Sequence, residues 1–326
     1  MHGILPMLKQ LPTDIKLINW PTQLYNELGY LCKNKISELK NHRLVVINCS
    51  SEHWGELACI QLDDLLKDTG LNFLLLSHDT KDHLATPRII FYPNWYYWAI
   101  DNFIFPAQQN LNNPRRYKLS CLNGNPRPHR ILNYFLLKQK PYVNESLITF
   151  HQSCELMPRR DDIELDSETL SWWQQAKHTL NDKTDKNLAD SVSDTHINHP
   201  AHTDSYIHLV TETTVDRKLF VTEKTWKPVA MGQLFLVLGA PGIITYLRNQ
   251  SVDVFDDVID HNYYDSEPDT VQRINKLQQV LDDLIAQDLP GLYQLTQQRR
   301  EDNARKFLAG QFDQQIYIDS FKSKTQ

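Results

Sequence analysis

Short, nearly continuous apolar runs, each bounded by polar or proline-containing segments, constrain this chain more than any other feature. In the first third they fall at residues 44–49 (LVVINC), 72–77 (NFLLLS) and 88–92 (RIIFY). Such runs are short for helices and apolar at consecutive positions, the pattern of strands covered on both faces in a parallel sheet. Residues 57–67 carry a helical pattern, so the stretch reads as a β-α-β unit, preceded by a helical lead-in over the first 40 residues. Further on, 117–122 reads as a strand, Asn123-Gly-Asn-Pro-Arg-Pro-His-Arg130 as a tight turn and 131–138 as an amphipathic helix. Residues 155–203 are too polar to build a core and read as a surface excursion, partly helical around Trp172 and Trp173. The pattern then resumes with a strand at 206–210, a helix at 222–231, a strand at 234–238 and a turn at Gly239-Ala-Pro-Gly242. A helix at 243–249, a strand at 252–255 and two long helices, 270–287 and 291–309, complete the reading. Alternation in both halves predicts an α/β fold in two domains, residues 1–115 and 116–326.

A length of 326 residues suits two domains, and 41% hydrophobic with 23% charged residues excludes wholesale disorder. The net charge of −6 argues against a nucleic-acid coat. The five cysteines are scattered, without a C-x-x-C pair, which predicts a reduced, cytoplasmic setting. No signal-peptide pattern opens the sequence, and the longest mainly apolar run, 234–244, is too short to span a bilayer; peripheral membrane contact stays open. Only 10 glycines occur, and G-x-G-x-x-G, G-x-x-x-x-G-K-[ST] and G-x-S-x-G are all missing. Any nucleotide would therefore be held without a glycine cradle.

Two segments can hold an anion by other means. Thr222 is a good N-cap, which places the Glu223 and Lys224 amides in a first helical turn, where free N–H groups and the helix dipole attract negative charge. Lys224 can neutralise a phosphate there, and Glu223 can accept from sugar hydroxyls. The same residues would also make a capped surface helix with an ordinary Glu–Lys pair. At the other segment, Arg130 opens a helix, placed to clamp a diphosphate bidentately, with Asn123, Arg127 and His129 in the same turn. Arginines decorating a loop would look alike.

Phe220-Val-Thr-Glu-Lys224, preceded by Glu212 at a strand end and followed by Gly232 and Gly239, resembles the donor-binding signature of the α1,3/α1,4-fucosyltransferases. Arg130 through Leu137 resembles that family's R-x-x-x-x-x-x-L helix start. The likeness covers residues 117–137 and 205–265. Thr213 stands where the family has Asn, the Glu212 to Glu223 spacing is one residue longer, and Phe235-Leu-Val replaces a proline-containing strand. The resemblance implies two Rossmann-like domains facing across a cleft (GT-B type) and an inverting, metal-independent glycosyltransferase. It implies no cofactor, a GDP-linked sugar such as fucose as co-substrate, and a glycan or glycoconjugate acceptor. Arg130 and Lys224 would hold the diphosphate and Glu212, with Thr222, Glu223, Asn123, Arg127 and Gly239, would shape the donor pocket. The general base would follow an early strand. Glu52 is the best candidate there, with Glu56 and the Ser77-His-Asp79 turn as competitors. A non-catalytic nucleotide- or carbohydrate-binding module on the same fold is the alternative.

Other clusters point elsewhere. His196, His199 and His202 have a metal-like spacing, but Pro200 denies them a rigid helix face, so a flexible loop near the acceptor or an incidental cluster is expected. Trp95-Tyr-Tyr-Trp98 reads as aromatic core rather than a sugar platform. Asp256, Asp257 and Asp260 with His261 match neither a D-x-D motif nor an EF-hand, and read as a polar rim.

Overall fold

The computed structural model describes residues 13–19, 39–49, 58–77, 86–91, 94–105, 114–124, 126–150, 163–176, 197–215, 219–312 and 323. The chain divides into two compact units, residues 1–98 with 313–326, and residues 99–312. The division falls earlier than residue 115, inside a helix.

The first unit is built on a parallel sheet in the order β1-β2-β3-β4 (Ile15–Asn19, Leu44–Asn48, Phe73–Ser77, Ile89–Phe91). Helix α1 (Ala58–Leu66) connects β2 to β3, as the run spacing predicts. Cys59, Leu62 and Leu66 recur at helical spacing and pack with Val45, Ile47, Phe73 and Leu75. Val46, Leu74 and Leu76 are buried too, so β2 and β3 are covered on both faces. Asp63 on α1 is buried against Arg88, whose Nε and Nη2 reach its two oxygens at 2.5 and 2.6 Å. Strand β1 lies where a helical lead-in is expected: its parallel partner sits some thirty residues on (Ile15 opposite Leu44), beyond the reach of local periodicity. Helix α2 (Asn94–Asn102) holds the aromatic stretch, and its Tyr96 is fully buried.

The second unit is also α/β. Its elements run β5 (Tyr117–Asn123), α3 (Pro128–Lys138), β6 (Ser146–Phe150), α4 (Ser167–Ala176), α5 (Pro200–Thr203), β7 (Ser205–Thr211), α6 (Glu223–Ala230), β8 (Leu234–Leu238) and α7 (Ile243–Asn249). Helices α8 (Asn262–Asp265), α9 (Thr270–Ile285), α10 (Leu289–Leu295) and α11 (Gln297–Leu308) follow. All four strands are parallel, in the order β6-β5-β7-β8. From β5 the chain steps outward to β6 and then returns past β5 to β7 and β8, so the direction of winding reverses between β5 and β7. Right-handed crossovers in opposite directions put α3 and α6 on opposite faces. Accordingly α3 packs with α4 and α9, while α6 packs with α11. Trp226 of α6 is buried between Phe307 and Phe312, ring centroids 6.2 and 5.9 Å away.

Three further expectations change in the second unit. Residues 252–255 are buried at Val252, Val254 and Phe255 but join no described strand. Phe255 takes φ 65° and its N–H turns back to Asp253 Oδ1, which breaks an extended run; Tyr264 Oη instead accepts from Val237 N at the β8 edge. The helix read at 291–309 is two helices, parted at Thr296. Strand β6 is unexpected, since its burial alternates only at Ile148 and Phe150 over five residues. Among the described residues no helix is long and apolar enough to cross a membrane.

Candidate functional site

In open parallel sheets the crevice beyond the carboxyl ends of the strands, where the winding reverses, is the natural place for a ligand. Here that place lies between β5 and β7, and the starts of α3 and α6 each reach residues 211–213 there. Asn123, the last residue of β5, ties the edge together: its Nδ2 donates to Thr149 O of β6 (3.1 Å) and its Oδ1 accepts from Thr211 Oγ1 of β7 (2.9 Å).

Helix α3 begins with Pro128 after an extended Arg127, a geometry that needs no capping hydrogen bond at the first helical residue. It aims Arg127, His129 and Arg130 at the end of β7. Arg130 Nη2 donates to Thr211 O (3.1 Å) and Glu212 O (3.0 Å), His129 Nε2 donates to Glu212 O (3.1 Å), and Arg127 Nη1 donates to Thr213 O. Three successive carbonyls at the end of β7 and just beyond it thus take charged or ring donors. Arg130 and Arg127 lie at the expected edge, buried and braced on backbone.

Glu212 is fully buried directly after β7. Its Oε1 accepts from Thr222 N (2.9 Å) and Thr225 Oγ1 (2.6 Å), and its Oε2 accepts from Thr222 Oγ1 (2.7 Å) and Thr213 N (3.2 Å). Four donors fill the lone-pair positions of a carboxylate. Its own N–H donates to Leu238 O of β8. A Cβ at Gly239 would meet Glu212 Cγ at an ordinary contact distance (3.5 Å) but would crowd Ile243 Cδ1 at 2.8 Å. The start of α6 is therefore already supplied with an anion from the chain itself, and Lys224 N is capped by Thr222 Oγ1 (3.3 Å). Of the cationic side chains at this edge, Arg127 and Arg130 are buried, whereas Lys224 keeps a partly exposed side chain. Thr225 and Thr211 escape the sequence reading. Two hydroxyls at Thr222 and Thr225 have capping-box spacing, and their need for a distant acceptor is the signal that was available.

Seven of the eight residues of α6 are buried, which excludes a surface helix; the exception is Lys224. Its Nζ lies 2.5 Å from Glu223 Oε1 and 3.4 Å from Thr222 Oγ1. Burial by itself would raise the Glu223 carboxyl, but Lys224 in contact and Lys227 one turn on outweigh it and hold it below the usual carboxylate range. Around the edge stand three cations, Arg127, Arg130 and Lys224, and two carboxylates, Glu212 and Glu223, with Lys227 one turn further along α6.

His199 and His202 are buried, not on a flexible loop. His199 Nδ1 accepts from Ala201 N and caps α5; His202 Nδ1 meets Gln233 Oε1; His208 of β7 meets Ser120 Oγ at 2.8 Å. Burial, reinforced by the Lys227 charge, lowers His199 to about 4 and His208 to about 3, and holds His202 well below its ordinary value. Among the described residues no group of three or more His, Cys, Asp or Glu is arranged to hold a metal. Asp256 pairs with Arg248 and Asp257 with Arg299, as a polar rim would, whereas His261 is buried between Val254 O and Tyr264 Oη. Glu52, Glu56, Asp79 and His196 lie outside the described residues.

Against known proteins, no family model matches the chain, and a comparison with curated sequences finds no relative.

Proposed function

We propose that the second unit binds a nucleotide sugar and that the chain is an inverting, metal-independent glycosyltransferase of GT-B organisation, similar to the fucosyltransferases. It would transfer fucose or a related sugar from a GDP-linked donor to a glycan hydroxyl. One observation carries the reading: Asn123, Arg127, Arg130, Glu212, Thr222, Glu223, Lys224 and Gly239 come from two segments some ninety residues apart in sequence and converge on the edge where the winding reverses.

In this reading Lys224 is the accessible cation that meets the diphosphate. Arg127 and Arg130 fix the backbone of residues 211–213 and add positive charge behind it. Together they offset the negative charge that builds on the leaving diphosphate in the transition state, where fixed charges act most strongly. Glu223, held ionised, accepts from donor hydroxyls. A carboxylate of the first unit, with Glu52 as candidate, takes the proton from the acceptor hydroxyl as its oxygen attacks the anomeric carbon opposite the leaving group.

Calorimetry with GDP tests the site. Lys224→Ala is expected to weaken binding about tenfold, the worth of one charge-assisted contact, and unchanged affinity would remove Lys224 from the site. A panel of nucleotide sugars with glycan acceptors tests the reaction. Binding without transfer or donor hydrolysis would select the non-catalytic module instead.

A further inference from the structure

The ion pair at the start of α6 is asymmetric. The Lys224 side chain is 32% exposed and that of Glu223 3%, with 2.5 Å between Nζ and Oε1. Glu223 is enclosed and cannot follow a ligand, whereas the four-carbon stem of Lys224 can swing its ammonium outward. The neighbouring charged groups are already committed: Glu212 accepts from four donors, and Arg127 and Arg130 hold the carbonyls of residues 211–213.

We infer that Glu223 is an internal anion that occupies Lys224 in the unliganded protein, and that a ligand enters by taking Lys224 from it. This rests on the nucleotide-diphosphate reading above and makes Glu223 a specificity-determining residue. A ligand must outcompete one fixed carboxylate at contact distance, which a multiply charged diphosphate does and a single carboxylate or halide does not. The exchange leaves Glu223 compensated, because Lys227, one helical turn away and buried, already acts on it. Without that second cation, withdrawing Lys224 would strand a buried charge.

The test is calorimetry with GDP, which lacks the transferred sugar, and with inorganic pyrophosphate, which has no sugar hydroxyl at all for Glu223 to contact. Glu223→Gln frees Lys224 and is expected to bind both probes about fivefold to tenfold tighter than the native chain. The gain is expected to vanish in the Lys224→Met background. Glu223→Asp keeps the charge but withdraws it by one methylene, and is expected to give a smaller gain in the same direction; it serves if the Gln variant does not fold. Native binding with equal or weaker affinity in the folded variants overturns the exchange and leaves the nucleotide reading standing, as does a gain that persists without Lys224. If the native chain binds neither probe, both fall.

Discussion

Glu212 joins several elements of the second unit. Its side chain fastens β7 to the start of α6, its N–H reaches β8, and its carbonyl receives Arg130 and His129 from α3. Both carboxylate oxygens act purely as acceptors, so an amide in their place would set its NH₂ against donors. Glu212→Gln is expected to destabilise the protein by about 2–3 kcal/mol, the cost of a buried polar group left mismatched. A urea unfolding midpoint equal to that of the native chain would show that the hydroxyls of Thr222 and Thr225 reorient without loss. Arg130 illustrates the same logic from the donor side. The sequence places it correctly at a helix start, yet nothing local says whether its guanidinium faces a ligand or the carbonyls of β7, some eighty residues further along.

At the scale of elements, α6 is the informative case. Its sequence, EKTWKPVA, reads as polar, and its first two residues suggest a solvent face. Tertiary structure buries it because Trp226 needs a home. Phe307 of α11 and Phe312 stack on the ring, and Phe103 stacks in turn on Phe307, at 5.8 Å. Trp226→Ala is expected to cost about 3–5 kcal/mol, the range for removing a large buried aromatic. The check is the thermal midpoint together with loss of protection of the α6 amides in hydrogen exchange. A loss of midpoint without loss of α6 protection would mean the ring stabilises α11 alone. Residues 252–255 show the converse, an apolar run that is buried without becoming a strand. Burial is written in composition, whereas ladder pairing needs dihedrals that Phe255 does not adopt.

At the scale of the whole molecule, buried histidines are expected to weaken the protein as pH falls below neutral. His199, His208 and His261 are lowered to about 4, about 3 and about 4 by burial, and His202 lies well below its ordinary value as well. In the unfolded chain each would take up a proton below about pH 6.5, while in the folded chain each stays neutral down to its lowered value. The unfolded state then binds more protons, so their contribution is fully present above about pH 6.5 and is lost as pH falls toward 4. The slope is about 1.4 kcal/mol per pH unit for each histidine. Urea titrations at pH 7.5 and 5.5 should show the drop, and His208→Gln, which removes one of the four contributions, should make it shallower. A stability level across that interval would mean that these rings protonate in the folded state without cost.

The sequence by itself determined the class of the fold and much of its punctuation. Continuous apolar runs marked β2, β3, β5, β7 and β8, helical spacing marked α1, α3 and α9, and Thr222 was legible as a cap because those signals are complete within a few residues. It also singled out Asn123, Arg127, Arg130, Glu212, Glu223, Lys224 and Gly239, which the fold gathers at one edge of the second sheet. Only the tertiary structure decided what those side chains do. Placing β5 beside β7 is the outcome of two crossovers of opposite direction, and it alone sets Arg130 on the carbonyls of β7. That arrangement also puts Glu212 on the start of α6 and leaves Lys224 as the one residue of that helix in reach of solvent. Periodicity is a property of neighbours along the chain, whereas a buried polar group finds its partner among neighbours in space.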